Sequence, residues 1–302
     1  MRRAARAAAA VTFAGLMCAG GLRGQTAPAT VTVRPAPAVP LAGTVAWVAV
    51  EPESLPAGEA LLGVEGESAG EPLHFAPAGR GFAALVGVPL EGGDSLEVLL
   101  RLRWHGRTDT TRVAIAVALP ELRSEQLRVA PAMASPDSAA LARVDRELAQ
   151  SREVSRRSHD TPRLWSGPFR VPRPSRITSV YGTAREFNGE VTSRHLGTDF
   201  TGKTGAPVRA AGRGVVALVA DFYLAGHAVY VDHGSGLVTG YFHLSRIDVA
   251  EGDTVVAGQP IGGVGRSGRV TGPHLHWIAR YGTITVDPMS LVRLAAAPGE
   301  GQ

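Results

Sequence analysis

Leu96, Val98, Leu100, Leu102 and Trp104 occupy every second position of one run, with Glu97, Arg101 and Arg103 among the residues between them. A period of two sends alternate side chains to opposite faces of an extended chain, so the run reads as a strand with one buried face. Val113, Ile115, Val117 and Leu119 repeat the pattern. Shorter apolar runs at 30–33, 44–50 and 81–88 lie between Gly, Pro and acidic turn residues. Strands punctuated by turn signals every 8–12 residues or so are the mark of a small β-sandwich. Residues 30–120 are therefore expected to form one. This segment shows no reactive constellation. His74 and His105 are lone histidines in strands and read as packing or surface residues.

A linker is expected at 121–168. Ser135-Pro136-Asp137-Ser138 has the form of a helix start. Leu141, Val144 and Leu148 follow at i, i+3 and i+7, and charged residues fill much of the remainder through Arg157. Pro162, Pro168 and Pro172 close the segment. From Arg176 the pattern is extended again, with strands expected at 177–181, 207–210, 214–219, 228–232, 237–243, 255–261 and 275–279. Asn188-Gly189 and His233–Gly236 mark turns. No stretch here sustains a helical period. The fold class is all-β: an N-terminal sandwich, a helical linker, and antiparallel sheets with a groove between them at 169–295.

The chemistry lies in this last segment. Gly272-Pro273-His274-Leu275-His276-Trp277 carries two histidines two apart in apolar surroundings. On a strand both imidazoles point to one face. Arg194-His195-Leu196-Gly197-Thr198-Asp199 offers a second pair at i and i+4, which on a strand also share a face. Two histidines and a carboxylate are a common three-ligand set for catalytic zinc, with a fourth position left to water. Cys18 is the single cysteine and lies near the N-terminus, so nitrogen and oxygen donors must hold any ion.

His195-x-x-x-Asp199, Tyr241-Phe242-His243-Leu244-Ser245 and His274-x-His276, in that order, resemble the lysostaphin-type (LytM-like) zinc metallopeptidases, which cut peptide bonds in bacterial peptidoglycan. The resemblance runs from about Phe169 to Leu291. It implies one zinc ion per chain, with His195, Asp199 and His276 as ligands. It also implies that His243 and His274 flank the zinc-bound water and act as general acid and base; which of the two is the base stays open. The sequence has no H-E-x-x-H, so histidine would stand in for the glutamate base of thermolysin-like enzymes. Tyr241 would share a strand face with His243 and could donate a hydrogen bond, although packing accounts for it nearly as well. Gly197 would let the backbone pass close to the site. Asn188 is the only asparagine. In related enzymes such a residue can block the open zinc position, but a turn is the simpler reading. His227 and His233 read as structural, and Arg194 as exposed. The function implied is a secreted zinc metalloendopeptidase acting on peptidoglycan stem peptides or cross-bridges. The alternative is a non-catalytic cell-wall regulator of the same fold that activates an amidase. The presence of all five site residues favours the enzyme.

The basic start Met1-Arg2-Arg3-Ala4-Ala5-Arg6, followed by a short Ala- and Gly-rich apolar run, reads as a signal peptide over 1–24. Export to the periplasm or cell envelope is expected, with membrane attachment only if that segment is kept. The formal charge of +4 falls to about zero without Arg2, Arg3, Arg6 and Arg23, which removes the electrostatic case for nucleic acid. Gly263-x-Gly265-x-x-Gly268 matches a dinucleotide fingerprint as text, but a strand pattern follows it where a helix is required. The stretch 249–255 resembles the hairpin of biotinyl and lipoyl carriers but has no lysine to modify; Lys203 is the only lysine in the chain.

Overall fold

The computed structural model describes residues 29–128, 137–187 and 189–298. The expected signal segment with Cys18, the helix-start residues Ser135 and Pro136, and Asn188 lie outside the described residues.

The N-terminal alternation folds as its period requires. Strands Thr30–Ala36, Val45–Ser54, Gly81–Gly87 and Ala76–Ala78 form one antiparallel sheet. Glu71–Leu73, Gly63–Ser68, Ser95–Arg103 and Thr108–Ala116 form another. In Ser95–Arg103 the residues Leu96, Val98, Leu100 and Leu102 are buried, and Glu97, Arg101 and Arg103 are exposed. Both sheets feed one apolar core that includes Trp47, Val48, Ala84 and Leu100. The strands at 63–68, 71–73 and 76–78 carry no alternating apolar pattern of their own, because Gly, Glu and Pro occupy much of them.

The C-terminal half is a larger antiparallel sheet. Its main path runs through Ile177–Ser179, Thr198–Thr201, His274–Tyr281, Leu237–Ile247, Gly226–Gly234, Gly214–Phe222 and Thr254–Val255. The middle strands are rich in Val, Ile and aromatic residues, the types that suit a pleated, packed surface. Two expectations need correction. The single strand expected at 255–261 is two, Thr254–Val255 and Pro260–Val264, parted by a turn in which Gly258 adopts a φ of 90°. A short helix, Pro288–Val292, closes the domain with Asp287 as its N-cap. Five residues are too few to show a helical period, so only the Asp-Pro start could have signalled it.

The linker does more than span. Ser124–Leu127 forms a strand parallel to Ala184–Phe187. Then comes the helix Ser138–Arg157, capped by Asp137, whose carboxylate accepts from Ala140 N at 2.8 Å. The expected apolar stripe of this helix is not its packed face. Leu141 and Leu148 remain 51% and 39% exposed, and burial instead falls on Ser151, Val154 and Ser155. Small residues let the helix end lie close on the sheet, where Val154 joins Leu218, Phe222, Tyr230 and Phe242 in a second apolar cluster. Val144 and Leu148 face the groove of the C-terminal half.

The two halves share a core. Trp47 stacks on Trp165 with ring centroids 6.0 Å apart and donates from Nε1 to Ala295 O at 3.0 Å. His74 is not a lone strand histidine. It follows the strand Glu71–Leu73 and stacks on His159 of the linker, with Nε2 2.8 Å from His159 Nδ1. Its partner lies 85 positions away, so no local pattern shows it.

Candidate metal centre and cleft

Two strands and one turn build the centre. Thr198–Thr201 and His274–Tyr281 pair antiparallel with Asp199 opposite His276 and Thr201 opposite His274. Strand alternation then puts Asp199, His274 and His276 on one face, as the H-x-H spacing predicts. Phe242 on Leu237–Ile247 lies opposite His276 from the other side. His195 arrives differently. It lies between the strands Glu190–Arg194 and Thr198–Thr201, so the shared-strand argument for His195 and Asp199 does not hold. The chain turns through Leu196-Gly197 and brings His195 back over Asp199. Gly197 makes this possible, because a Cβ there would meet Trp277 O at 2.5 Å and His276 Cε1 at 2.7 Å.

Three donor atoms converge. His195 Nε2 is 3.0 Å from Asp199 Oδ1 and 2.9 Å from His276 Nδ1, and His276 Nδ1 is 2.7 Å from Asp199 Oδ1. Among the described residues this is the one group of His, Cys, Asp and Glu with ligand atoms gathered to hold an ion. His195 is 1% exposed and Asp199 5%. The proton of His195 can be placed. Its Nδ1 lies 3.0 Å from Val180 O, which only accepts, so Nδ1 carries the hydrogen and Nε2 presents a bare lone pair to a carboxylate oxygen. Two lone pairs facing one another inside a protein suit a cation, and the N,N,O donor set suits zinc. Burial raises the Asp199 carboxyl, but the neighbouring imidazoles, His276 first and then His195, outweigh it and hold the group well below the usual carboxylate range. Burial pushes His276 down to about 4 against the pull of Asp199.

His243 and His274 flank this centre, their ring centroids 4.9 Å apart. His243 Nδ1 donates to Ser267 O at 2.8 Å, and His274 Nδ1 donates to Gly272 O at 2.8 Å. Each ring therefore keeps Nε2 bare. His274 Nε2 is 3.7 Å from Asp199 Oδ1. Burial, then the neighbouring His276 and His274, push His243 well below its ordinary value. Alternation would send His243 away from Phe242's face. It reaches the cleft because its φ is +61°, a left-handed conformation that costs a histidine on the order of 1–3 kcal/mol and clusters at functional sites. Ala225 O holds the kink by accepting from His243 N at 2.9 Å.

That kink also corrects the reading of Tyr241. With His243 turned, the two side chains share no face. Tyr241 is fully buried; its hydroxyl accepts from Ala211 N at 2.8 Å and bonds Thr239 Oγ1 at 3.0 Å, and burial pushes it up to about 12. It is a core residue. His233 is buried between Arg213 O and Thr239 Oγ1, each 2.8 Å from a ring nitrogen, in keeping with a structural role. His227 bonds Leu244 O at 3.1 Å at the edge of the sheet. Arg194 Nε donates to Glu91 of the sandwich at 2.7 Å. Gly263 and Gly265 pack against the backbone around Gly205 and Ser245, and the next element is the strand His274–Tyr281 rather than a helix.

Three residues beside the centre, also on the groove wall, carry no sequence signal. Arg185 donates to Asp199 Oδ2 at 2.6 Å and to Glu125 Oε1 at 2.7 Å. Ser179 Oγ lies 3.0 Å from His195 Nδ1 and 2.9 Å from Glu125 Oε1. A groove of about 650 Å³ opens in front of the centre, walled by Phe222, Phe242 and Arg269 on the sheet side and Leu148 on the helix side.

Comparison with known proteins places this geometry. Residues 193–288 match the model of Peptidase family M23. The chain is similar to the peptidoglycan DD-endopeptidase ShyA of Vibrio cholerae, 48% identical over 83 residues that make up 28% of this chain and 19% of that protein. It is also similar to the DD-carboxypeptidase/endopeptidase Mpg of Neisseria meningitidis, 39% identical over 117 residues, 39% of this chain and 27% of that protein. The chain thus spans between about a fifth and about a quarter of these curated relatives. A crystal structure from Pseudomonas aeruginosa assigned to peptidase M23 superposes with a TM-score of 0.61 at 29% identity, covering 84% of this chain and 95% of that one. That likeness takes in the sandwich as well as the cleft.

Proposed function

On the premise that residues 193–288 form a peptidase M23 domain, we propose that this protein is an exported zinc metalloendopeptidase that hydrolyses peptide bonds in peptidoglycan. His195, Asp199 and His276 would hold the ion. The observation that carries the reading is the convergence of His195 Nε2, His276 Nδ1 and Asp199 Oδ1, each within 3.0 Å of the other two. When bound, a zinc ion acts as a Lewis acid and lowers the pKa of water from 15.7 toward about 7.

The remaining work falls to the chain. His243 Nε2 and His274 Nε2 both present lone pairs to the groove, so either can take a proton from the attacking water and return it to the leaving amine. Once protonated, the ring also offers a donor to the developing oxyanion. The carbonyls of Ser267 and Gly272 fix the two tautomers. Arg185 holds the second oxygen of Asp199, which keeps Oδ1 aimed at the centre. Phe222 and Phe242 give the groove an apolar wall that limits water. The names of the relatives favour a D,D bond in a cross-link as the target, and the periplasm or cell envelope as the place of action. A regulator that only activates an amidase has no need of two tautomer-fixed bases beside a complete ligand set.

The test is digestion of purified peptidoglycan by the zinc-loaded protein, with released fragments read by mass spectrometry and Asp199→Ala as control. New peptide termini with the wild type alone are expected and would identify the bond. Intact wall with both proteins would refute the endopeptidase.

A further inference from the structure

Two carboxylates reach the groove from the linker, Glu147 and Glu125. Glu147 is committed to its own surroundings, accepting from Arg143 Nε at 2.6 Å and from Tyr223 N at 2.8 Å. Glu125 is different. It stands on the strand Ser124–Leu127, which lies alongside Ala184–Phe187 with Glu125 opposite Arg185. The other edge of Ala184–Phe187 is paired with Glu190–Arg194. The linker strand has therefore taken the free edge of Ala184–Phe187, in the manner of a peptide added to a sheet.

Its side chain behaves as a ligand would. Arg185 Nε and Ser179 Oγ converge on a single oxygen of Glu125, at 2.7 and 2.9 Å. The other arm of Arg185 is held by Asp199, so the guanidinium stays in place whether or not Glu125 is present. The pair is accessible, with side chains 17% and 25% exposed. An ion pair that reaches solvent contributes only about 0–1 kcal/mol, so an incoming carboxylate can displace it. Cross-linked wall peptides carry free carboxylates, and an extended peptide approaching the centre would find this edge and this charge.

We propose that Arg185 and Ser179 form a carboxylate-binding subsite for the peptide substrate, and that Glu125 of the chain's own linker fills it at rest. The proposal rests on the peptidase reading above. Glu125 then acts as a tethered competitor: it raises the apparent KM for carboxylate-bearing peptides and leaves the bond-breaking step alone. A buttress role, in which Glu125 merely orients Arg185 and through it Asp199, makes the opposite prediction.

The experiment compares full-length wild type with Glu125→Gln on two cross-linked muropeptides, one with free carboxylates and one amidated. The expected result is a KM about 2–5-fold lower in Glu125→Gln for the free acid, equivalent to about 0.4–1 kcal/mol. kcat should stay within about twofold, and the amidated substrate should show no change. A fall in kcat or in bound zinc would overturn the proposal in favour of a buttress. An equal KM change for both substrates would overturn the carboxylate subsite. A second readout needs no catalysis: amide exchange at 124–127, with and without acetyl-Lys-D-Ala-D-Ala or its C-terminal amide. The acid should speed exchange and the amide should not; equal behaviour overturns the proposal. If the acid opens the strand but no wall fragments are released, the hydrolase reading fails and the subsite stands. If fragments are released and Glu125→Gln has no effect, the reverse holds.

Discussion

The cleft gathers His195, His276 and Asp199; the seam between the two halves gathers His74, His159 and Glu71. Both groups are two imidazoles and a carboxylate, largely out of water, with contacts of about 3 Å. Their connectivity differs. In the seam the bonds run in a line: Glu71 Oε2 to His159 Nε2 at 3.0 Å, then His159 Nδ1 to His74 Nε2 at 2.8 Å. One proton per link satisfies both contacts of the line. The second Glu71 oxygen accepts from Thr283 N at 2.7 Å and from the Thr283 hydroxyl. In the cleft the bonds close a triangle. The single hydrogen of His195 is spent on Val180 O. A proton on His276 Nδ1 could serve one or two edges, but the edge between His195 and Asp199 has none. The line is complete as a structural latch. The triangle is one that a cation would complete. Residue type alone does not separate the two; the direction of the lone pairs does.

The sharpest way to break this contrast is to remove one histidine from each. His276→Ala should abolish zinc binding and lower wall hydrolysis by at least about a thousandfold, the several kcal/mol that an electrophilic ion contributes. His159→Ala should keep one zinc per chain and keep activity, while lowering thermal stability. Metal analysis and melting of both variants decide the matter. Zinc loss in His159→Ala would mean that the distinction is false.

His243 sharpens it further, since it neighbours the triangle without entering it. His243→Ala should retain zinc and lose about 10²–10⁴ in kcat, the range of a general acid–base group. A loss of stability is expected as well, because Ala keeps the Cβ and with it the left-handed strain while the buried ring contacts are lost. Loss of the metal would show that His243 belongs to the ligand set.

Much of this was open to reading in the sequence, for identifiable reasons. His274 and His276 obey strand alternation, so spacing alone puts them together. The strands of the sandwich likewise follow from Leu96 to Trp104. His195 is at the centre, but by a turn at Gly197 rather than along a strand. His243 and Tyr241 defeat the same rule, because one positive φ reverses the faces. Arg185, Ser179 and Glu125 show no pattern at all; they meet through parallel pairing across about 60 residues. The apolar stripe Leu141, Val144 and Leu148 is real as a pattern, yet Val144 and Leu148 line a groove and Leu141 faces solvent, a distinction that periodicity does not carry. His74 could not be read locally, since its latch exists only once the halves dock.

Acid should act on the seam and on the core before it acts on a zinc-loaded cleft. Burial pushes His233 down to about 4, and burial, then the neighbouring His159, lower His74. Both groups are more basic in the unfolded chain, near 6.5, so the unfolded state binds more protons below that pH and stability falls with acidification. The stabilisation is complete above about 6.5 and is lost as pH falls toward 4; His233 accounts for up to about 3 kcal/mol. Denaturant unfolding between pH 7 and 4.5 should show this slope, and His233→Gln should flatten it. An unchanged slope in that variant would place the acid sensitivity elsewhere.

The smallest expected effect tests the latch itself. Glu71 reaches from the sandwich to Thr283 and His159 at once. Glu71→Gln keeps the shape and an acceptor oxygen but removes the charge, so one of its bonds is weakened or a buried donor loses its partner. That costs about 1–3 kcal/mol. The loss should appear as a lower melting temperature with zinc content and kcat unchanged, because no bond of the line reaches the triangle. A fall in kcat without a fall in stability would mean that the seam communicates with the cleft, and that docking of the sandwich sets the rate as well as the fold.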